Sequence, residues 1–226
     1  MNKKNELIIV GDGEFAQIAY EYFTYDSPYK VIAFSVEKKF LRRDELFHLP
    51  VVPFEELEYV YDTTKYEVYV AITYTQLNRI RTRLYHEAKK KGYKTATYIS
   101  SRAFVWHDVK IGENCFIFEN NVIQYHVEIG NNVILWSGNH IGHRTKIGDN
   151  CYVSSHVVIS GYCEIGENSF LGVNTALEDK IKVGKDCITG VGTVVIKDLE
   201  QGRVYVGNPA SPLGKSSYEA FNVQEI

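Results

Sequence analysis

No stretch of these 226 residues approaches 18 consecutive apolar positions, so no membrane span is expected. The opening MNKKNELIIV has a short apolar run without a small-residue cleavage site, so a signal peptide is not expected either. Neither sign of charge prevails: 25 Lys and Arg stand against 28 Asp and Glu, a formal net charge of −3. A polyanion binder should carry a basic footprint, and so no nucleic-acid partner is expected. Proline is scarce, at 5 residues against 17 glycines, while aromatic residues reach 13%. That balance excludes a disordered or collagenous chain. Cysteine is missing from the first half: Cys115, Cys151, Cys163 and Cys187 all lie in the second. The asymmetry points to two unlike parts.

The second part is periodic. From Ala103 to Asp198 the chain divides without a gap into sixteen hexads, beginning AFVWHD, VKIGEN, CFIFEN. The third place is Val, Ile or Leu in fifteen of them, Thr189 being the exception, and the first place is small or modest in size. Two inward places separated by one outward place is the alternation of a strand, and the other three places must turn a corner. An Ile-Gly or Val-Gly pair recurs at 111, 129, 147, 165 and 183, every 18 residues. Three hexads per coil describe a triangular prism of short parallel strands, a parallel β-helix.

Sorting the outward second places by face gives one charged ladder: Lys110, Glu128, Lys146, Glu164, Lys182. Opposite charges on adjacent strands attract, and this face suits water. Phe116, Ile134, Tyr152, Phe170 and Ile188 make a second face; Phe104, Val122, His140, Val158, Ala176 and Val194 make a third. Two apolar outer faces on an already filled prism imply an interaction surface, and a closed ring of three chains satisfies both. The alternative is that the first domain folds back over one of them. All four cysteines occupy inward first places. Cys115, Cys151 and Cys187 share a column but stand two coils, about 9.5 Å, apart, beyond the ~7 Å reach of a disulfide. They read as buried thiols in a reducing compartment, the cytoplasm.

Residues 1–100 read as a small α/β domain. A strand over Glu6–Val10 ends in Gly11-Asp12-Gly13, and a helix follows with Phe15, Ile18, Ala19 and Tyr22 on one face. Tyr29–Val36 and Tyr66–Thr73 read as buried parallel strands, Gln76–Lys91 as a helix stopped by Gly92, and Tyr93–Ile99 as a last strand. The alternation implies a βαβ-type parallel sheet of about four strands. The turn Gly11-x-Gly13-x-x-Ala16, between first strand and helix, can present backbone N–H groups to a phosphate. Glu37 lies near the place of a ribose-binding acid, yet about 100 residues supply only half a dinucleotide fold. A nucleotide or nucleotide sugar fits better than a dehydrogenase cofactor.

Five of the seven histidines lie in the solenoid. His107, His126 and His156 sit at corners, with ordinary surface roles as the simplest reading. His140 projects from an apolar face and is a candidate substrate contact. His143 holds the fifth place of NHIGHR, on the corner between an apolar face and the charged face. One coil later the same column carries Gly161, which leaves room beside the imidazole and a reachable N–H. A histidine beside an open backbone donor suits a general base next to an oxyanion site.

The hexads, the corner histidine and the terminal Val206-Gly207-Asn208-Pro209-Ala210 resemble the hexapeptide-repeat, left-handed β-helix acyltransferases. With the N-terminal α/β part, the whole chain resembles the bacterial sugar acetyltransferases that modify nucleotide-linked amino sugars or sialic acid. The resemblance implies a left-handed solenoid over 103–198 and a C-terminal tail over 199–226. It implies a cytoplasmic homotrimer that uses acetyl-CoA, with no metal, in lipopolysaccharide or O-antigen biosynthesis. His143 matches the base, and Gly161 the N–H facing the thioester. Val173 and Val191, from a neighbouring protomer, match positions lining the CoA arm, and Gly11, Gly13, Glu14 and Phe15 match the turn that meets the nucleotide phosphates. Relatives often place a carboxylate beside the histidine; here the neighbours are Gly142 and Arg144. Alternatives are a sugar O-acetyltransferase, a non-catalytic scaffold, and a zinc hydratase for which a third ligand is lacking.

Overall fold

The computed structural model describes residues 5–224. It divides into two compact units: one runs to Thr73 and resumes over Arg81–Tyr98, the other combines Tyr74–Ile80 with everything from Ile99 onward.

The first unit comprises β1 (Asn5–Val10), α1 (Glu14–Tyr25), β2 (Tyr29–Val36), β3 (Glu45–Leu46), β4 (Leu49–Pro53), α2 (Leu57–Val60), β5 (Tyr66–Val70), β6 (Lys94–Thr95) and α3 (Arg79–Lys90) except its first two residues, which belong to the second. The sheet order is β3-β4-β2-β1-β5-β6, parallel except for β3 against β4. Leu7, Ile8 and Ile9 on the central strand are fully buried, and each such side chain contributes about 1.5–3 kcal/mol. Two strands beyond the expected four are present. β4 escapes notice in the sequence because LPVVP carries prolines at 50 and 53, which read as breakers. It is nevertheless a short strand near the sheet edge, where proline is tolerated. The helix expected from Gln76 begins only at Arg79. Gln76, Leu77 and Asn78 all adopt left-handed backbone conformations, a run that costs roughly 1–2 kcal/mol per residue for L-amino acids. Packing in the second unit holds them there: Leu77 is fully buried against Ile188 and Val204, and Asn78 Nδ2 donates to Asn168 O at 3.0 Å.

The second unit is built on sixteen two-residue strands, from Phe104–Val105 to Val194–Val195, one at the second and third places of each hexad. They stack into three parallel sheets with the three outward faces read from the sequence; Glu128 pairs with Lys110 and Lys146, and His140 with Val122 and Val158. The sixth place of every hexad from Asn114 to Gly192 is left-handed. This is the corner, and it explains the asparagines at 114, 120, 132, 150, 168 and 174, since Asn tolerates that region better than most side chains. Asn114, Asn132 and Asn150 also form an amide ladder at 2.8 Å per step. The four cysteines are free and buried inside the prism. Burial pushes the Cys187 thiol up to about 11 and raises that of Cys163, so both stay protonated and unreactive at neutral pH.

One of the two apolar faces is covered by the chain itself. Tyr74 packs edge-on against Tyr152 and Phe170, both at 5.0 Å, and Phe221 lies 5.3 Å from Phe170. Leu213, Ala220, Phe221 and Val223 close over the same end of the sheet. The tail is therefore structured: the strand Arg203–Val206 extends that sheet, the strand Ser211–Ser216 pairs antiparallel to it, and Ser217–Ala220 is a capped helical turn. The inference that both apolar faces await a partner is corrected here, because the residues that cover one of them are not part of the repeat. Arg79 anchors this cover through Asp186, at 2.5 Å, and Asp186 is almost fully buried and also accepts from the Tyr218 hydroxyl. Arg79→Ala leaves that carboxylate without its cation and should cost about 3 kcal/mol. Denaturant unfolding measures this; a change under 1 kcal/mol would show that the anchor is dispensable.

Candidate active site

The three corner columns of the β-helix differ in kind. Between the charged face and the covered face, the fourth place is glycine at 112, 130, 148, 166 and 184. There an added Cβ would come within 2.5–2.8 Å of a backbone atom of the next coil. That column is shaped by close stacking. The corner between the exposed apolar face and the charged face follows no such rule. Its fifth places read His107, Tyr125, His143, Gly161, Asp179 and Lys197, and it gathers imidazole, phenol, amide and carboxylate groups in one stack.

His143 is at the centre of that stack and is half-buried. Its ring lies parallel to Tyr125 of the preceding coil, with centroids 5.6 Å apart, and Tyr162 meets it edge-on at 5.1 Å. A Cβ on Gly161 would lie 2.6 Å from its Cε1 and 2.8 Å from its Nε2, so the absence of a side chain at 161 is what makes room for the imidazole. Gln124 Oε1 accepts the His143 backbone N–H at 2.9 Å and lies 3.3 Å from Nδ1. The guanidinium of Arg144 is turned over the Tyr125 ring, 5.6 Å from its centroid. The N–H of Gly161, expected to be open, donates to Asp179 Oδ1 at 2.7 Å. It belongs to a series of caps in which a corner side chain accepts the N–H one coil below, as Asp149 does for Asn131. Gln124, Tyr125, Tyr162 and Asp179 were not singled out in the sequence, although the 18-residue column spacing contains them.

The other predicted residues lie elsewhere. His140 is half-buried on the exposed apolar face, and its ring makes no hydrogen bond among the described residues. Val173 and Val191, 37% and 75% exposed, stand on the corner at the opposite edge of that face from His143. Within the first unit, Gly11 has φ +123°, and its N–H donates to Ser35 O at 2.7 Å. A Cβ there would fall 2.9 Å from Ala71 O, so only glycine fits. Gly13 caps α1 without a side-chain hydrogen bond, and an added Cβ there meets nothing within 4 Å. Glu14 is exposed, whereas the Phe15 side chain is core, packed against Tyr69, so only its backbone is available to a ligand. Glu37 is held by Arg83 at 2.9 Å and by Lys39 at 3.5 Å. Among the described residues no group of three or more His, Cys, Asp or Glu is placed to hold a metal ion, and no helix is long and apolar enough to cross a membrane.

Residues 126–161, which include His143 and Gly161, match the family model described as bacterial transferase hexapeptide (six repeats). The solenoid is a left-handed β-helix of hexapeptide repeats. Solved structures with this architecture cover both units. The acetyltransferase domain of PglB from Neisseria gonorrhoeae is 24% identical over 93% of this chain and 100% of that one, with a TM-score of 0.84. PerB from Caulobacter crescentus, solved with CoA and GDP-perosamine, is 25% identical over 93% of this chain and 98% of its own, with a TM-score of 0.83. WeeI from Acinetobacter baumannii is 21% identical over 93% and 100%, with a TM-score of 0.77. No curated protein matches the chain in sequence. The fold expected from the hexads, an α/β part followed by a hexapeptide β-helix, is the one observed, and these three solved structures share it.

Proposed function

We propose that this chain is an acetyl-CoA-dependent N-acetyltransferase that acts on a nucleotide-linked amino sugar of the kind built into cell-surface glycans. The observation that carries the reading is His143, held beside Gly161 on a β-helix corner, in a chain that matches along 93% of its length a structure solved with CoA and a nucleotide sugar. In this reading the sugar amine attacks the thioester carbonyl carbon while Nε2 of His143 accepts a proton from nitrogen. The carbon–sulfur bond then breaks, and the proton passes to the departing sulfur; no acyl-enzyme forms. Gly161, lacking a side chain, lets the imidazole lie over the corner. Its N–H serves the oxyanion by exchanging Asp179 for it. The exchange favours the transition state, since a neutral thioester oxygen competes with a carboxylate poorly and a developing oxyanion competes well.

The α/β unit takes the nucleotide, with the backbone of Gly11, Gly13, Glu14 and Phe15 meeting the phosphates at the start of α1. His140 is a candidate contact to the sugar. The one apolar face left open, which carries Phe104, Val122 and Val158 at 52%, 37% and 44% exposure, supports a homotrimer. His143 lines one edge of that face and Val173 and Val191 the other, so a single chain cannot bring them together across it. Packing this face against the neighbouring chain's corner supports a CoA site shared between protomers. Four buried free thiols support a reducing, cytoplasmic setting.

Two measurements test the proposal. Acetyl transfer is followed with GDP-, UDP- and dTDP-linked 4-amino sugars and their 4-hydroxy counterparts. Transfer to an amine is expected; turnover only with hydroxyl acceptors would make this an O-acetyltransferase, and none with any acceptor would leave a scaffold. Val158→Glu places a charge in the open face and should convert trimer to monomer in light scattering with loss of turnover. A monodisperse wild-type monomer that is fully active would remove the trimer from the account.

A further inference from the structure

Two histidines on the same corner are held by the same device with different chemistry. His126 donates its backbone N–H to Asp108 Oδ1 at 2.9 Å and places Nδ1 2.6 Å from Oδ2. His143, one coil on, directs both its backbone N–H and Nδ1 to the side chain of Gln124. The first is clasped by a carboxylate and the second by a carboxamide.

The amide decides the tautomer. A backbone N–H only donates, so the Gln124 atom that faces it must be the oxygen and not the NH2 group. That oxygen only accepts, so Nδ1 of His143 must carry the hydrogen. Nε2 is then the unprotonated nitrogen, the one that Gln124 does not engage. A carboxylate in the same place would select the same tautomer, but it would also stabilise the imidazolium. The amide orients the ring without adding charge.

We propose that Gln124 is the positioning residue of this site: it fixes His143 as the Nδ1–H tautomer and presents a neutral Nε2 to the acceptor amine. The claim about catalysis rests on the acyl-transfer reading; the claim about the tautomer does not. The remaining polar groups around the ring are few. Tyr125 stacks on it, Tyr162 meets its edge, Arg144 lies over the Tyr125 ring, and Asp179 reaches the site through the Gly161 N–H. Gln124 is the one side chain that hydrogen-bonds the imidazole among the described residues.

Gln124→Met keeps the length and removes the acceptor, while Gln124→Glu keeps the acceptor and adds the charge. The Met variant should lower kcat roughly 10- to 100-fold at every pH, with KM for both substrates within about twofold, because the imidazole is misaligned and substrate binding is not. The Glu variant should move the acid limb of the kcat/KM profile up by about one pH unit and regain wild-type turnover at alkaline pH. The sign follows from the charge: a carboxylate favours the protonated ring, so the base is lost at a higher pH as pH falls. Loss of packing alone would depress the Glu variant equally at all pH. Wild-type kcat in the Met variant, or an unshifted pH profile in a stable Glu variant, overturns the proposal. A second measurement needs no turnover. Nitrogen-15 spectra of histidine-labelled protein should show His143 of the wild type with Nδ1 protonated and Nε2 bare, and a mixed population in Gln124→Met. An Nε2–H tautomer in the wild type refutes the positioning role even if acetyl transfer is confirmed. The expected tautomer in a protein without acetyl transfer would refute the proposed function alone.

Discussion

His143→Ala is expected to lower kcat by about 10²–10⁴, the range a general base contributes, while leaving the far-UV spectrum and thermal transition close to wild type. Little of the fold depends on the side chain. The corner it occupies is held by the backbone: His143 N–H meets Gln124, Tyr162 N–H meets His143 O, and the neighbouring Ile141 fills the prism. Removing the imidazole exposes no unsatisfied charge, and the Tyr125 ring it covers is already 40% exposed. The expected loss therefore lies in turnover rather than in stability. Steady-state kinetics with both substrates saturating is the check. Near-native kcat in this variant would move the base elsewhere on the corner.

Gly161→Ala should be nearly as damaging from a single methyl group. The backbone at 161 is outside the left-handed region, so alanine meets no conformational objection. The three closest contacts are all with the imidazole, at 2.6 Å from Cε1, 2.8 Å from Nε2 and 3.0 Å from Nδ1. Contacts that short force the ring off Gln124 and away from the approach it is built to serve. A misplacement of about 1 Å can cost about 10² in rate, and that is the loss expected in kcat. Gly161 is buried, but the obstacle is a half-buried ring on a corner that can swing aside, so stability should fall by only about 1 kcal/mol. The combination separates this position from the glycines at 112, 130, 148, 166 and 184. There the obstacle is backbone, and substitution should unfold the coil instead. Full activity in Gly161→Ala would mean that the imidazole works from another rotamer.

Much of this architecture is written openly in the sequence, and the reason is geometric. A strand pleat fixes which two places in each hexad face inward, and the 18-residue coil fixes which outward residues stack. The charged ladder from Lys110 to Lys182 and the inward cysteines follow from counting. The departures come where tertiary contact overrides local pattern. Gln76–Asn78 look helical but are drawn into left-handed turns by burial of Leu77 and by the Asn78 bond to Asn168. The covered apolar face depends on Tyr74 and on Leu213–Val223, residues that lie outside the period. At the site, His143 and Gly161 stand out because one is chemically distinctive and the other is small. Gln124 does not, since a lone glutamine carries no signal until the corner turns its oxygen toward a particular N–H. Asp179 is hidden in the same way, since only the stacking of coils brings its carboxylate to the Gly161 N–H.

The most direct measurement is a crystal structure of the protein with CoA and a nucleotide-linked amino sugar bound together. The account predicts the sugar amine within hydrogen-bond distance of His143 Nε2, the CoA sulfur beside Gly161, and Gln124 Oε1 still on Nδ1. An amine bound away from His143, with the imidazole facing only solvent, would contradict it.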